Sequence, residues 1–444
     1  MKDFEQKTLL ASIKSFSQKM RTMREHLAHV EKLYYRKQKQ SWFLDAAEIY
    51  REAMISLMQD LSRIPLKSRG FVNFQQYLAV YIHSLPFELL VNEIRRLKDQ
   101  LSSIQYCMLI KDNSIEVRKY DAEVNYTAEI ENLFKKFRQD EVNDYTVKFQ
   151  ERQEMNHIEA KVLDFLALLY PETFQNLEDF CHKHLNFLDE TINRFDREVQ
   201  FYIAYLEYVE CFQHTGLKFC YPKISTSCKE ISNTGSFDMA LAFQLINQKK
   251  PIVCNDFYLK GDERIIVVSG PNQGGKTTFA RSLGQLFYLA SLGCPVPGRK
   301  AQLFLHDKLF THFEKEEDIE NLRGKLQDDL VRIHKILTMA TSNSIIIMNE
   351  IFTSTTLEDA ILLSKNIMEQ IIALDLLCIS VTFLDEMSTF SPKIVSMVST
   401  MSPDQSTLRT FKILRKPADG LSYALSIAEK YNLTYEQLKE RLTS

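Results

Sequence analysis

One eight-residue segment constrains the fold of this chain more than any other feature. It reads Gly270-Pro271-Asn272-Gln273-Gly274-Gly275-Lys276-Thr277 and fits the pattern G-x-x-x-x-G-K-[ST]. An apolar run at 265–268 predicts a buried strand before it, and the spacing of apolar residues from 278 to 289 predicts a helix after it. In that context the turn's backbone N–H groups can surround the phosphates of a nucleotide, while Lys276 reaches the terminal phosphates and Thr277 holds Mg²⁺. The segment therefore predicts a site for ATP or GTP.

Composition is consistent with an intracellular protein of more than one domain. The chain has 444 residues, of which 45% are hydrophobic, enough for two or three domains with substantial cores. No apolar run approaches the ~18–20 residues that span a bilayer, and the first residues do not resemble a signal peptide. The eight cysteines include no Cys-x-x-Cys pair, which favours reduced thiols. We therefore expect a cytoplasmic protein without a membrane partner.

The residues before the phosphate-loop region predict a mainly helical domain. Glycine is almost absent, since Gly70 is the only one before Gly216. Alternating apolar residues near 104–119 predict one β-hairpin, with its turn at 111–114. A heptad spacing from Leu185 to Val209 predicts a long helix at 182–212. We expect a helical domain at 1–212 and an α/β domain with a mostly parallel sheet at 213–444.

The first forty residues are basic although the whole chain is slightly acidic. They hold ten Lys or Arg against four acids, whereas the net charge of the chain is −3. A basic helix can bind a phosphate backbone, and it can equally be a solvated face of an ordinary amphipathic helix. The candidate DNA contacts are Lys14, Lys19, Arg21 and Arg24.

Several motifs in the second half resemble the MutS family, the DNA mismatch-recognition ATPases. The Pro-Asn within the phosphate loop is characteristic of that family. Further similar segments, in the family's order, cover roughly residues 213–444: 251–256, 293–298, 307–311, 344–350 and Gly420-Leu421-Ser422-Tyr423-Ala424-Leu425-Ser426-Ile427-Ala428. The resemblance implies a P-loop ATPase domain of the ABC type, preceded by a helical core and lever domain that carries the small hairpin.

The resemblance also implies roles for particular residues. Glu350, at the end of the apolar strand 345–348, stands where a general base would polarise the attacking water. Asn349 and Thr277 are the expected Mg²⁺ ligands, with ATP as the nucleotide. The expected nucleotide contacts are Gly270, Pro271, Asn272, Gln273, Gly274, Gly275, Lys276, Thr277 and Thr278.

Three positions depart from the family pattern. Asn349 stands where the family has an aspartate, Gly324-Lys325 stands at its Ser-Thr signature, and Phe383 replaces its histidine near the γ-phosphate. Hydrolysis in this fold depends on positioning and charge stabilisation, so each lost group can cost one or more orders of magnitude. Nucleotide binding is expected to survive, and hydrolysis is expected to be slow or lost.

Two functional hypotheses follow. In the first, the chain is a shortened family member: a homodimeric, DNA-associated ATP switch related to mismatch repair or recombination control. In the second, it is a hydrolysis-deficient nucleotide-binding scaffold, with RNA binding as a further alternative. No mismatch-binding domain is recognisable, because the sole Phe-x-Glu motif, at 149–151, lies in a segment predicted to be a charged helix.

Overall fold

The computed structural model describes residues 2–111, 114–121, 155–313, 324–401, 409–418, 433–435 and 438–439. The chain divides into two compact units, residues 2–204 and residues 205–444. This division falls inside one helix, and the domain boundary expected at 212/213 stays a prediction. The segments 420–428 and 149–151 discussed above lie outside the described residues.

The first unit is mainly helical, as the sequence predicts. Its helices are α1 (Lys7–Lys32), α2 (Arg36–Arg63), α3 (Arg69–Ile82), α4 (Leu85–Ser102), α5 (His157–Leu169), α6 (Pro171–Lys183) and α7 (Glu190–Glu210), the last continuing into the second unit. A hairpin of two antiparallel strands, β1 (Tyr106–Lys111) and β2 (Ser114–Lys119), follows α4, with Met108 opposite Val117.

The core of the helical unit lies between α1 and α2, which pack along their length. The buried residues of α1 recur every three or four positions and therefore lie on one face of the helix. They are Leu9, Ile13, Phe16, Met20 and Met23. On α2 the fully buried Tyr50 and Met54 belong to the same kind of apolar face.

Helix α7 begins later than the heptad pattern predicts. The pattern predicts a helix from 182, whereas in the structure α6 ends at Lys183 and α7 begins at Glu190. The reason is local: the Asp189 carboxylate accepts a hydrogen bond from the backbone N–H of Ile192 (3.0 Å), which is how an N-cap residue starts a helix. Leu185, the first residue of the predicted seam, is exposed.

The second unit is an α/β structure with a mostly parallel sheet. Six strands form the main sheet in the order β10-β11-β12-β7-β13-β14, and only the β13–β14 pair is antiparallel. Their bounds are β7 (Ile265–Ser269), β10 (Leu309–His312), β11 (Ile345–Asn349), β12 (Leu377–Val381), β13 (Ile394–Met401) and β14 (Arg409–Arg415). The helices are α8 (Met239–Asn247), α9 (Lys276–Ser291), α10 (Lys325–Met339) and α11 (Leu357–Ala373).

Smaller sheets accompany the main one. Strands β4, β9, β5 and β6 form a second sheet in that order, and β3 pairs with β8. Their bounds are β3 (Phe219–Cys220), β4 (Lys223–Ser225), β5 (Ile231–Ser236), β6 (Asn255–Leu259), β8 (Val296–Pro297) and β9 (Lys300–Phe304).

The parallel register of the main sheet brings several strand ends together. Asn349 of β11 lies beside Val381 of β12, which lies beside Val268 of β7. The segments that follow these strands therefore emerge at the same edge of the sheet, which is where open α/β sheets bind ligands.

Two further features of the described residues bear on the class of protein. None of the described helices is both long enough and apolar enough to cross a membrane. All eight cysteines are free thiols, and Cys294 and Cys378 are buried.

Candidate functional site

The loop 270–275 leaves the carboxyl end of β7 and leads directly into α9. Strand β7 is buried at all five positions, and it lies between β12 and β13 in the interior of the main sheet. Helix α9 begins at Lys276, and its first turn therefore presents backbone N–H groups that have no partner within the helix. The loop is thus held between a buried strand and a helix N-terminus.

Glycine is required in this loop for conformation and for space. Gly270 has φ of 114° and Gly275 has φ of 91°, backbone angles that residues other than glycine rarely adopt. A Cβ atom on Gly274 would lie 2.9 Å from the carbonyl oxygen of Pro271, closer than real Cβ contacts. The loop can therefore approach a ligand with its backbone.

Strands β13 and β14 support the loop from the side. Ser399 Oγ donates to the carbonyl oxygen of Gly274 (2.7 Å), and Arg409 Nε donates to that of Asn272 (3.2 Å). Within the loop, the N–H of Gly274 donates to the carbonyl oxygen of Pro271 (3.2 Å). These contacts fix the loop conformation before any ligand binds.

Lys276 is the buried cation of the site. Only 4% of the residue is exposed, and its Nζ donates to the carbonyl oxygens of Gly270 (2.8 Å) and Pro271 (3.2 Å). The ring of Phe383 lies over the ammonium, with its centroid 4.1 Å from Nζ. Burial lowers the pKa of Lys276 to about 8, with Arg409 acting in the same direction and Glu350 opposing it.

Asn349 and Glu350 follow the end of β11. Glu350 has φ of 53°, and its N–H donates to the carbonyl oxygen of Val381 (2.9 Å), which holds the residue at the edge of the sheet. The buried Phe352 has φ of 59° as well. Two non-glycine residues with positive φ so close together store backbone strain, and such strain clusters at functional sites.

A cavity of about 560 Å³ lies beside the loop, within the range that small-molecule sites occupy. Its polar lining includes residues 272–278 of the loop and Glu350. Its apolar lining includes Leu241, Ala242 and Leu245 of α8, residues 251–253, Phe237 and Phe411. The cavity can therefore hold a ligand with an anionic part and a flat apolar part.

The structure brings most of the expected nucleotide contacts to this cavity. Asn272, Gln273, Gly274, Gly275, Lys276, Thr277 and Thr278 line it, and so does Glu350. Gly270 and Pro271 contribute the carbonyl oxygens that bind Lys276. Gly324 and Lys325 lie at the N-terminus of α10, outside the lining of this cavity.

The donor atoms that could hold Mg²⁺ are neutral. The Oδ1 atom of Asn349 is buried and has no hydrogen-bond partner among the residues that the structure describes, and Thr277 lines the cavity. Oxygen atoms of this kind fit Mg²⁺. Across the same residues there is no cluster of three or more His, Cys, Asp or Glu side chains that could hold a metal ion. The fit therefore depends on phosphate oxygens, which would supply the negative charge.

The candidate DNA contacts on α1 differ in their surroundings. Arg24 pairs with the buried carboxylate of Asp196, and the exposed Arg21 pairs with Glu25 one turn further along. Lys14 and Lys19 lie on the same helix. A DNA-binding role for these four residues stays a prediction.

Among the contributors that were not identified from the sequence, three lie on the last two strands of the main sheet. Arg409 and Phe411 lie on the antiparallel strand β14, and Ser399 lies on β13, more than 100 positions after the loop. Asn255 of β6 positions β14, since its Oδ1 accepts from the N–H of Ile413 (2.9 Å) and its Nδ2 donates to the carbonyl oxygen of Phe411 (3.2 Å). No local pattern connects these residues to the loop; only the strand pairing does.

Comparison with known proteins relates the part of the chain that carries the loop to a described family. Residues 266–441 match the family model of MutS domain V. The chain is 32% identical over 126 residues to DNA mismatch repair protein MutS of Petrotoga mobilis, which covers 27% of this chain and 15% of that protein. It is 29% identical over 196 residues to DNA mismatch repair protein MutS of Orientia tsutsugamushi strain Boryong, a match that covers 43% of this chain and 22% of that protein. It is 30% identical over 188 residues to Endonuclease MutS2 of Thermus thermophilus, a match that covers 42% of this chain and 25% of that protein. The matches thus span no more than a quarter of these relatives' length.

Proposed function

We propose that this chain, whose residues 266–441 match the family model of MutS domain V, binds ATP together with Mg²⁺ in the cavity beside the loop 270–278. The observation that carries the proposal is the mixed lining of this cavity. A glycine-rich loop at a helix N-terminus lines it together with apolar side chains that can contact a base.

The loop and the start of α9 support phosphate binding through backbone and side chain. Residues 276–278 line the cavity in the first turn of α9, where backbone N–H groups have no partner within the helix and the helix dipole favours negative charge. Lys276 supplies a cation that is nearly withdrawn from water, so that its attraction to a phosphate is weakly screened. Together these groups favour a polyphosphate over a single carboxylate.

The apolar lining supports binding of a base. Phe411 packs close to Gly275, since a Cβ on that glycine would lie 3.7 Å from the Phe411 ring. Leu241 and Leu245 of α8 and Ile252 supply further aliphatic surface in the lining. A purine in contact with these side chains would remove its ring surface from water.

Glu350 is the proposed general base for hydrolysis. It lines the cavity and is held at the end of β11 by its backbone hydrogen bond to Val381. A carboxylate in this position can orient a water molecule toward the terminal phosphate. Mg²⁺ bound through Thr277 and Asn349 would neutralise charge on the phosphates. Because Asn349 is neutral, hydrolysis is expected to be slow.

We further propose that the chain works as a DNA-associated homodimer. The matched relatives carry the names DNA mismatch repair protein MutS and Endonuclease MutS2, which supports DNA as the partner. Lys325, at the start of α10, is the group that one subunit would offer to the nucleotide of the other. ATP would then act as a switch, and Lys14, Lys19, Arg21 and Arg24 are the proposed phosphate-backbone contacts.

A second candidate function is a nucleotide-binding scaffold that does not hydrolyse ATP. Two observations favour it: the neutral side chain of Asn349 at the metal position, and the ring of Phe383 over the Lys276 ammonium. Under this proposal ATP binds and is retained, and turnover is negligible with every form of DNA.

The deciding experiment measures ATP binding and steady-state hydrolysis with linear, mismatched and four-way-junction DNA. The expected result for the DNA switch is saturable ATP binding and turnover that one DNA form raises. Glu350→Ala should lower turnover by about 10²-fold or more without changing ATP affinity, the usual size for loss of a general base. The exposed Glu369→Ala on α11 serves as control. Binding without turnover in all conditions would select the scaffold, and absence of ATP binding would refute both.

A further inference from the structure

The Lys276 ammonium contacts three protein groups. A lysine ammonium has three N–H donors. Two of them meet the carbonyl oxygens of Gly270 (2.8 Å) and Pro271 (3.2 Å). The remaining face of the ammonium meets the Phe383 ring, whose centroid is 4.1 Å from Nζ. The cation is thus held by its own loop and by one aromatic side chain.

The Phe383 ring occupies the face of the Lys276 ammonium that the two carbonyl oxygens leave open. A phosphate oxygen needs an Nζ–O distance of about 2.8 Å. The same oxygen needs about 3.5 Å to the atoms of the ring. An oxygen between Nζ and the ring cannot make both contacts, because their combined length exceeds the 4.1 Å that separates Nζ from the ring centroid. The ring and the phosphate therefore compete for one face of the ammonium.

Phe383 has a fixed backbone and a movable side chain. The N–H of Thr382, the preceding residue, donates to the carbonyl oxygen of Val268 (3.1 Å), and Thr382 Oγ1 accepts from the N–H of Leu384 (3.0 Å). The side chain of Phe383 itself is exposed, at 47% of its surface. A rotation of the ring therefore needs no rearrangement of the sheet.

The inner phosphates are addressed by other groups. In a loop of this type the backbone N–H groups surround the α- and β-phosphates, whereas the lysine reaches the β- and γ-phosphates. The Phe383 ring lies over the lysine, so it opposes the outermost phosphate more than the inner ones.

We propose that Phe383 is a gate over the terminal-phosphate position, so that the site binds a nucleoside diphosphate more tightly than a triphosphate until the ring moves aside. This inference rests on the proposed nucleotide site. It names Phe383 as the residue that sets the preference between ADP and ATP. Binding of a triphosphate requires the cation–π contact to be broken, and binding of a diphosphate largely leaves it in place.

The test compares ADP with a non-hydrolysable ATP analogue by calorimetric titration of the full chain, with and without Mg²⁺. For the wild-type chain we expect ADP to bind about tenfold more tightly, the size that breaking one partly desolvated cation–π contact gives. Phe383→Ala and Phe383→Leu should each raise affinity for the analogue by about tenfold and leave ADP affinity nearly unchanged. Phe383→Tyr keeps the ring and should behave like the wild type.

Tyr288→Ala is the matched control, because this exposed aromatic residue lies on α9 roughly 18 Å along the helix from Lys276. It should leave both affinities unchanged. Equal affinity for the two nucleotides in the wild type, unaltered in Phe383→Ala and Phe383→Leu, would overturn the gate while the nucleotide site stands. No binding of either nucleotide to the wild type or to any Phe383 variant would overturn the nucleotide site and the gate with it.

Discussion

At the scale of single residues, the neutral side chain of Asn349 adds no negative charge to the proposed metal site. It is buried, with 7% of the residue exposed, and its Oδ1 has no hydrogen-bond partner among the described residues. Aspartate has nearly the same shape and adds a full negative charge. The position can therefore be changed electrostatically without altering packing.

We expect Asn349→Asp to raise Mg²⁺-dependent ATP turnover by about tenfold or more, because a carboxylate opposes the charge of the metal directly. The same variant should be less stable than the wild type in the presence of a chelator, since a buried carboxylate without a cation is costly. Urea denaturation with and without Mg²⁺ and ATP measures that difference. Asn73→Asp, an exposed position on α3, controls for added charge.

Faster turnover without any Mg²⁺-dependent change in stability would show that Asn349 does not face the metal. If turnover is unchanged while Mg²⁺ and ATP restore the stability of Asn349→Asp, the charge at this position affects metal binding and not catalysis.

The loop residues could be predicted from sequence because they are local, and their supports could not. Glycine at 270 and 275 answers a local backbone requirement that the motif already encodes. Ser399 and Arg409 reach the loop only because β13 lies beside β7 in the sheet and β14 lies beside β13. The substitution at Phe383 was visible in the sequence, but its position over Lys276 depends on the conformation of two side chains.

At the scale of elements, Asp238 connects the two helices that flank the cavity. It is the N-cap of α8, where it accepts from the N–H of Leu241 (2.8 Å). The same carboxylate accepts from Arg281 Nε (2.6 Å) and Gln285 Nε2 (3.1 Å) on α9, and its side chain is only 1% exposed. One buried carboxylate thus caps one helix and fixes a second against it.

Asp238→Ala is expected to lower the free energy of unfolding by about 2 kcal/mol, since it removes a cap and a hydrogen-bonded charge together. Arg281 is half exposed and can return to water, which limits the loss. Thr356→Ala removes only a single cap bond to the N–H of Asp359 (3.2 Å) on α11 and should cost about 1 kcal/mol. Urea denaturation without nucleotide compares the two, and equal losses would argue against the connecting role.

Helix α7 shows where periodicity alone misplaces an element. The heptad spacing of apolar residues includes Leu185 and Leu188, so it predicts that the helix begins before them. The structure instead starts α7 after Asp189, whose carboxylate accepts from the N–H of Ile192 in the first turn. Strands β7 and β11, in contrast, are continuous apolar runs that lie in the centre of the sheet, and their sequence predicts them directly.

At the scale of the whole molecule, each compact unit has its own hydrophobic core and a natural reporter. Trp42, the single tryptophan of the chain, lies on α2 with the rings of His26 and His29 at 4.6 and 4.4 Å between centroids. Its fluorescence therefore reports the packing of α1 on α2. Cys378 of β12 is fully buried in the other unit, and burial raises the pKa of its thiol, which protects it from labelling.

We expect ATP to stabilise the unit that contains Cys378 and to leave the Trp42 transition where it is. A ligand at 100 times its Kd stabilises the folded form that binds it by about 2.7 kcal/mol. Urea denaturation followed by tryptophan fluorescence, and in parallel by pulsed thiol labelling of Cys378 with peptide mass spectrometry, separates the two signals. The Cys378 midpoint should move to higher urea when ATP and Mg²⁺ are added.

The two signals also test whether nucleotide binding reaches the helical unit. If ATP raises the free energy of unfolding by the same amount in both signals, the chain unfolds as one cooperative body. ATP binding at residues 270–278 then stabilises α1 and α2 as well. If only the Cys378 midpoint moves, ATP binding does not act through the stability of the helical unit. Among the described helices α7 contributes residues to both units, so its conformation is the next one to compare with and without ATP.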